Sequence, residues 1–257
     1  MTLHTELLDA VPLWLLFLLT CAGSTLALKG GYRWGLNRNR TLPEKESPVG
    51  TIVGAILALF AFLLAFTFSS AGTRYESRRQ AVLDEANAIG TTHLRAQMLH
   101  EPQRATSLKL LREYVDVRVQ GVREAKIAET IQRSEKIQAA LWVEARKEAE
   151  VHPTPIAALY ANALNQMIDI HSTRVQVAIT NRVPSTIWLG LYALSFLGMA
   201  SVGYQNGLAG TRRSPVMVIL VVAFASVMFL IADLDRPSGG FITVSQDAMT
   251  SLQASMH

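Results

Sequence analysis

Four stretches of this sequence contain no Asp, Glu, Lys or Arg: residues 11–28, 49–71, 184–211 and 214–232. Each is at least 18 residues long, near the roughly 20 apolar residues a helix needs to cross the hydrocarbon core of a bilayer. A soluble domain has no use for four such blocks, so the chain reads as an all-α membrane protein with four transmembrane helices. Half of its residues are hydrophobic and only 17% charged, a balance that requires this segregation. The first block reads as an anchor and not as a secretory signal, because residues 1–10 carry Glu6 and Asp9 but no Lys or Arg. The only cysteine, Cys21, has no partner, which excludes a disulfide scaffold. The excess of four basic residues borders apolar segments, which speaks against nucleic acid as a partner and for the lipid bilayer.

The charge collects between the second and third spans. Residues 72–183 hold 16 of the 24 Lys+Arg and 13 of the 20 Asp+Glu. The chain therefore divides into a first transmembrane pair with a basic connector (1–71), an extramembrane helical domain (72–183), a second transmembrane pair (184–232) and a C-terminal tail (233–257). Charged and apolar residues interleave without proline from Arg74 to Leu99, so the second span should continue as one long helix until His100-Glu101-Pro102 breaks it. Leu108, Leu111, Val115, Val119 and Val122 mark the next helix, and Ile127, Ile131, Ile137 and Leu141 another. Thr154 suits an N-cap and Pro155 a first helical position. The helix they open has an apolar seam of Leu164, Ile168, Val175 and Ile179.

No enzyme motif is present: there is no glycine loop for phosphate, no His pair on one helical turn beside an acid, and no nucleophile elbow. No cofactor or metal site is expected. His93 and His100 stand two turns apart, too far for a metal pair without a third element, and read as surface residues. His171 falls on the apolar seam, where a satisfied core histidine is the plain reading and a pH-sensitive gate the sharper one.

The second span is the informative one. Ala58, Phe62 and Phe66 recur every fourth residue and so share a helix face, with Ser69, Ser70 and Thr73 just beyond. Two readings fit them. One is helix packing, helped by the small residues Gly50, Gly54, Ala58 and Ala61. The other is an apolar constriction around a symmetry axis that opens into a polar vestibule, as hydrophobic pore gates do. Arg74, Arg78 and Arg79 are either interfacial anchors or a basic collar favouring anions, and Asp84 and Glu85 either a solvated face or an acidic ring. Asp233 and Asp235 oppose the dipole at the end of the fourth span, so each needs a partner: a nearby Arg, such as Arg236, or a bound cation.

Residues 50–99, 101–119 and 233–249 together resemble the bestrophin-like family of bacterial membrane proteins. Tyr75-Glu76-Ser77-Arg78 is similar to the stretch that follows the pore helix of bestrophin ion channels, and Asp233, Asp235, Pro237 and Gly239 are similar to the end of their last span. The resemblance implies a homo-oligomer, a pentamer in bestrophins, conducting small inorganic ions past a neck at Phe62 and Phe66. It also implies a multi-pass inner-membrane protein with its helical domain and both termini in the cytoplasm. Charge alone leaves orientation open: the connectors at 29–48 and 205–213 hold seven Lys/Arg, against Arg236 in the termini plus Arg74, Arg78, Arg79, Arg174 and Arg182 beside the long loop. The alternative function is a non-conducting signalling or scaffold protein acting through its helical domain.

Overall fold

The computed structural model describes residues 11–41, 46–123, 126–179, 182–210, 215–236 and 240–256. All the regular structure in them is helical: α1 (Leu13–Thr41), α2 (Glu46–Ala96), α3 (Gln103–Arg123), α4 (Ile127–Val151), α5 (Pro155–Ile179), α6 (Ser185–Leu208), α7 (Val216–Asp235) and α8 (Asp247–Met256). Four helical segments are long and apolar enough to cross a membrane: Leu13–Arg40, Pro48–Ala96, Ser185–Leu208 and Val216–Asp235. The chain forms two compact units, Met1–Tyr75 with Arg182–Thr243 and Glu76–Asn181 with Val244–His257. The continuous helix expected beyond the second span is present, since α2 runs for 51 residues, a length of about 77 Å at 1.5 Å per residue.

In the first unit α1 and α6 cross with their backbones almost touching. A Cβ on Gly31 would sit 1.9 Å from the Ala200 carbonyl oxygen, and one on Gly35 2.2 Å from that of Tyr204. Reciprocally, a Cβ on Gly203 would lie 2.1 Å from the Leu28 carbonyl oxygen, and one on Gly207 2.3 Å from that of Tyr32. Each helix thus offers two glycines four residues apart, the spacing that brings membrane helices together where no hydrophobic force between them exists. The small residues expected to pack lay on α2, yet Gly54 faces open space. Phe60, Leu64 and Ala71 of α2 instead join Trp188, Leu191, Met228 and Ile231 in an apolar core. Gly203→Ala should therefore push α1 and α6 apart at a cost of about 1–3 kcal/mol, the usual penalty of overpacking. Thermal unfolding in detergent measures this, and an unchanged midpoint would refute the close crossing.

The second unit is built from α3, α4, α5, the far part of α2, and α8. Its core contains Ile89, Leu111, Tyr114, Val115, Leu141, Tyr160, Leu164 and Met167. The Thr154 hydroxyl accepts the Ala157 N–H at 3.2 Å, capping α5 as its sequence demands. The buried line of α5 departs from the apolar seam read in the sequence. It runs through Tyr160, Leu164, Met167, His171 and Arg174, while Ile168 and Val175 are only half-buried and the side chain of Ile179 lies outside the described residues. The C-terminal segment contains α8, whose Met249 and Met256 enter the core. Gln253 donates to Asp116 at 2.7 Å and Arg112 to the Met256 carbonyl at 2.7 Å, holding α8 on α3.

Candidate pore face and the polar hub behind it

Burial along α2 follows one stripe. Val53, Phe60, Leu64, Thr67, Ala71, Arg78, Val82, Glu85, Ile89, Thr92 and Ala96 are all buried. They succeed one another at steps of three, four or seven, the seam of a helix packed along one side, which widens in the second unit where Ala81, Ala86 and Ala88 are buried as well. Ala58, Phe62, Phe66, Ser69 and Thr73 lie off this stripe and are exposed. Phe62 is 67% and Phe66 64% accessible, so neither packs within its own chain. Ser70, one turn beyond Phe66, is half-buried and receives a hydrogen bond from Arg74 Nη1 at 2.8 Å.

The stripe also sorts the expected charged vestibule into two sets. Glu76, Arg79, Gln80 and Asp84 are exposed. Arg79 pairs with Glu76 at 3.2 Å and Gln80 donates to Asp84 at 2.8 Å. Arg78 and Glu85 do not belong with them: Arg78 is 6% exposed and Glu85 fully buried. The reason is helical phase, since both occupy the stripe of Phe60, Leu64 and Ala71, and a single step along the helix takes the exposed Asp84 to the buried Glu85.

Glu85 is the centre of a buried polar hub in the second unit. The Tyr114 hydroxyl donates to Oε1 at 3.0 Å, and His171 Nδ1 stands 3.3 Å from Oε1 and 3.0 Å from the Tyr114 hydroxyl. Oε2 accepts from Arg118 Nη2 at 3.0 Å and from Arg174 Nη1. Gln138 Nε2 donates to the Tyr114 hydroxyl at 3.1 Å, and Arg174 Nη2 to Gln246 at 2.9 Å. One carboxylate thereby ties α2, α3, α4, α5 and the segment before α8. Burial by itself raises its pKa, but the hydrogen bond with His171 and the charges of Arg118 and Arg174 overcome that and hold it well below the usual carboxylate range. Burial and the nearby Glu85 charge push the Tyr114 phenol up, keeping it a neutral donor. The sequence did carry one signal for this hub: His171 and Arg174 are polar residues in heptad phase with Tyr160, Leu164 and Met167.

Asp233 and Asp235 find partners, and these are mostly backbone. Asp233 accepts the N–H groups of Phe241 at 2.7 Å and Ile242 at 3.0 Å. A Cβ on Gly240 would lie 2.3 Å from Asp233 Oδ1, so only glycine lets the chain fold back this closely. Asp235 accepts the Val183 N–H at 2.8 Å and pairs with Arg182 Nη2 at 3.5 Å. Of the expected alternatives, a juxtamembrane arginine therefore serves Asp235, while Arg236 donates to the Val11 carbonyl. The two carboxylates fasten the chain just before α6, at Val183, and just after α7, at Phe241 and Ile242. Pro237 and Gly239, and the connector residues Lys45, Arg212 and Arg213, lie outside the described residues.

Known proteins share this architecture. A variant of a bacterial bestrophin homologue from Klebsiella pneumoniae aligns over 95% of this chain and 97% of its own, with a TM-score of 0.65 at 16% identity. Another variant of a bestrophin homologue from that organism aligns over 98% and 97%, with a TM-score of 0.65 at 17% identity. A structure described as a membrane protein aligns over 94% and 96%, with a TM-score of 0.66 at 15% identity. No curated protein matches the chain. A Bestrophin-like domain matches residues 18–249, from within α1 into α8, and the chain therefore belongs to the Bestrophin-like family.

Proposed function

We propose that this protein is an oligomeric ion channel of the bacterial inner membrane, with the exposed face of α2 turned toward the symmetry axis and Phe62 and Phe66 forming an apolar neck. The observation that carries this reading is the exposure of two phenylalanines on a spanning helix whose opposite side is packed throughout. Gly54, Ala55, Ala58, Ala61 and Ala65 are exposed as well, leaving room for copies of α2 to approach one another. Ser69 and Thr73 then give water a polar surface beyond the neck. Five copies are favoured by the likeness to bestrophins. The same likeness favours a cytoplasmic helical unit with cytoplasmic termini, which proteolysis of sealed inverted vesicles checks, since a protected unit would reverse it.

The basic collar behind the expected anion preference is thinner than three arginines. Arg74 is half-buried and bonded to Ser70, Arg78 is buried and Arg79 pairs with Glu76, so the fully exposed charges beyond the neck are Glu76, Arg79 and Asp84. Asp84 follows Phe66 by eighteen residues, about five helical turns. We therefore assign the sign of the selectivity to the Asp84 ring, as a weak preference for cations. Reversal potentials of reconstituted protein under a salt gradient test this, and Asp84→Asn should shift them toward the anion side. An oligomer that passes no ions in proteoliposomes would instead favour the scaffold reading.

A further inference from the structure

The second unit holds another polar cluster, separate from the α2 face and from the Glu85 hub. His100 follows the last turn of α2, Glu148 lies in the last turn of α4, and His152 ends that helix, its N–H bonded to the Glu148 carbonyl at 2.7 Å. His100 Nδ1 is 2.8 Å from Glu148 Oε1, and His152 Nδ1 is 3.5 Å from Glu148 Oε2. The two imidazoles stack with centroids 4.0 Å apart and planes 19° from parallel. One ligand atom from each residue lies within 4.8 Å of the other two.

Hydrogen bonding leaves this cluster incomplete. The Glu148 side chain is 1% exposed, yet its Oε2 has no hydrogen bond, and neither has the buried Nδ1 of His152. Two imidazolium rings stacked at 4.0 Å would repel each other. A neutral imidazole could serve Oε2 only through an Nδ1–H, and at 3.5 Å His152 Nδ1 makes no hydrogen bond to it. One positive centre accepting a pair of electrons from each of the three residues would give Oε2 and His152 Nδ1 a common partner and let both stacked rings stay neutral. Two imidazole nitrogens and one carboxylate oxygen are a zinc-type donor set that keeps a fourth position for water. The half-exposed His100 and partly exposed His152 leave that position reachable from solvent.

We propose that His100, Glu148 and His152 bind a divalent transition-metal ion, zinc by its donor set, which clamps the α2–α3 turn to the α4–α5 turn. This is the third element that the sequence did not offer to His100: its partner is not His93 but an acid and a histidine one turn apart on α4. The site does not depend on whether the protein conducts ions.

The test uses the full chain in detergent, stripped with EDTA, dialysed and titrated with Zn2+ alone. Calorimetry and metal analysis after gel filtration should give one zinc per chain. The conservative Glu148→Gln, and separately His100→Ala and His152→Ala, should weaken binding by more than about tenfold, the loss that follows removal of even a supporting group around a metal. His93→Ala should leave it unchanged. Co2+ in the wild-type protein should give the visible absorption of a four-coordinate site, a readout that needs no variant to fold. Substoichiometric zinc in the wild type, or zinc binding that survives all three ligand substitutions, overturns the proposal.

Discussion

Glu85→Ala should destabilise the protein by about 3–5 kcal/mol, the range found when one partner of a buried ion pair is removed and the other is left uncompensated. Here the abandoned partners are two guanidinium groups, Arg118 and Arg174, with side chains 8% and 10% exposed. Tyr114 and His171 lose their shared acceptor in the same step. Glu85→Gln preserves the shape but not the charge and should fall between wild type and the alanine variant. The folded-state pKa of Glu85 lies below its unfolded value, so its contribution is fully present above the unfolded pKa, near ~4.3. It is lost as pH falls from there toward the folded pKa. Wild type should therefore lose stability in acid more steeply than Glu85→Gln. Thermal unfolding of the detergent-solubilised protein across that range measures both effects. A loss under about 1 kcal/mol for the alanine variant, the level of an exposed pair, would show that Glu85 is no hub.

Asp84 and Glu85 also show where reading the sequence stops. Two adjacent acids on a helical extension look like one solvated face, and only the phase of the buried stripe assigns them to opposite fates. That phase is set by which side of α2 packs, a long-range property involving Tyr114 and Arg118 on α3 and His171 and Arg174 on α5. The same holds for α5: apolarity picks out Ile168 and Val175, whereas the buried line turns through His171 and Arg174 because Glu85 waits opposite them. The four spans were legible, since an uncharged block of that length has one use. So were the break after α2 and the Thr154-Pro155 start of α5, which rest on proline and capping chemistry. The glycine pairs Gly31/Gly35 and Gly203/Gly207 carried their spacing in plain view, but nothing local to α1 or α6 says that they meet each other. Asp233 and Asp235 required partners by the dipole argument. That Asp233 finds them in backbone N–H groups depends on the chain folding back at Gly240.

Phe62→Ala with Phe66→Ala is the second large effect, and exposure fixes what it should look like. A buried phenylalanine cut to alanine costs ~3–5 kcal/mol, but these two side chains have little to lose within their own chain, with 67% and 64% of their surface accessible. The stability of the protomer should change little. What changes depends on what covers the exposed face. Around an axis, removing two rings per chain widens the neck and lets water persist there, so basal ion flux should rise in an oligomer of unchanged subunit number. At a contact between subunits, the same change opens a void and the oligomer should dissociate at concentrations where wild type stays assembled. Against lipid, neither flux nor assembly should move, because hydrocarbon fills the space. Flux from proteoliposomes and mass in detergent, measured on the same double variant, separate the three. Only a leakier oligomer of normal size supports the neck; either other result removes Phe62 and Phe66 from the pore and leaves Ser69, Thr73 and Asp84 without the constriction they are proposed to serve.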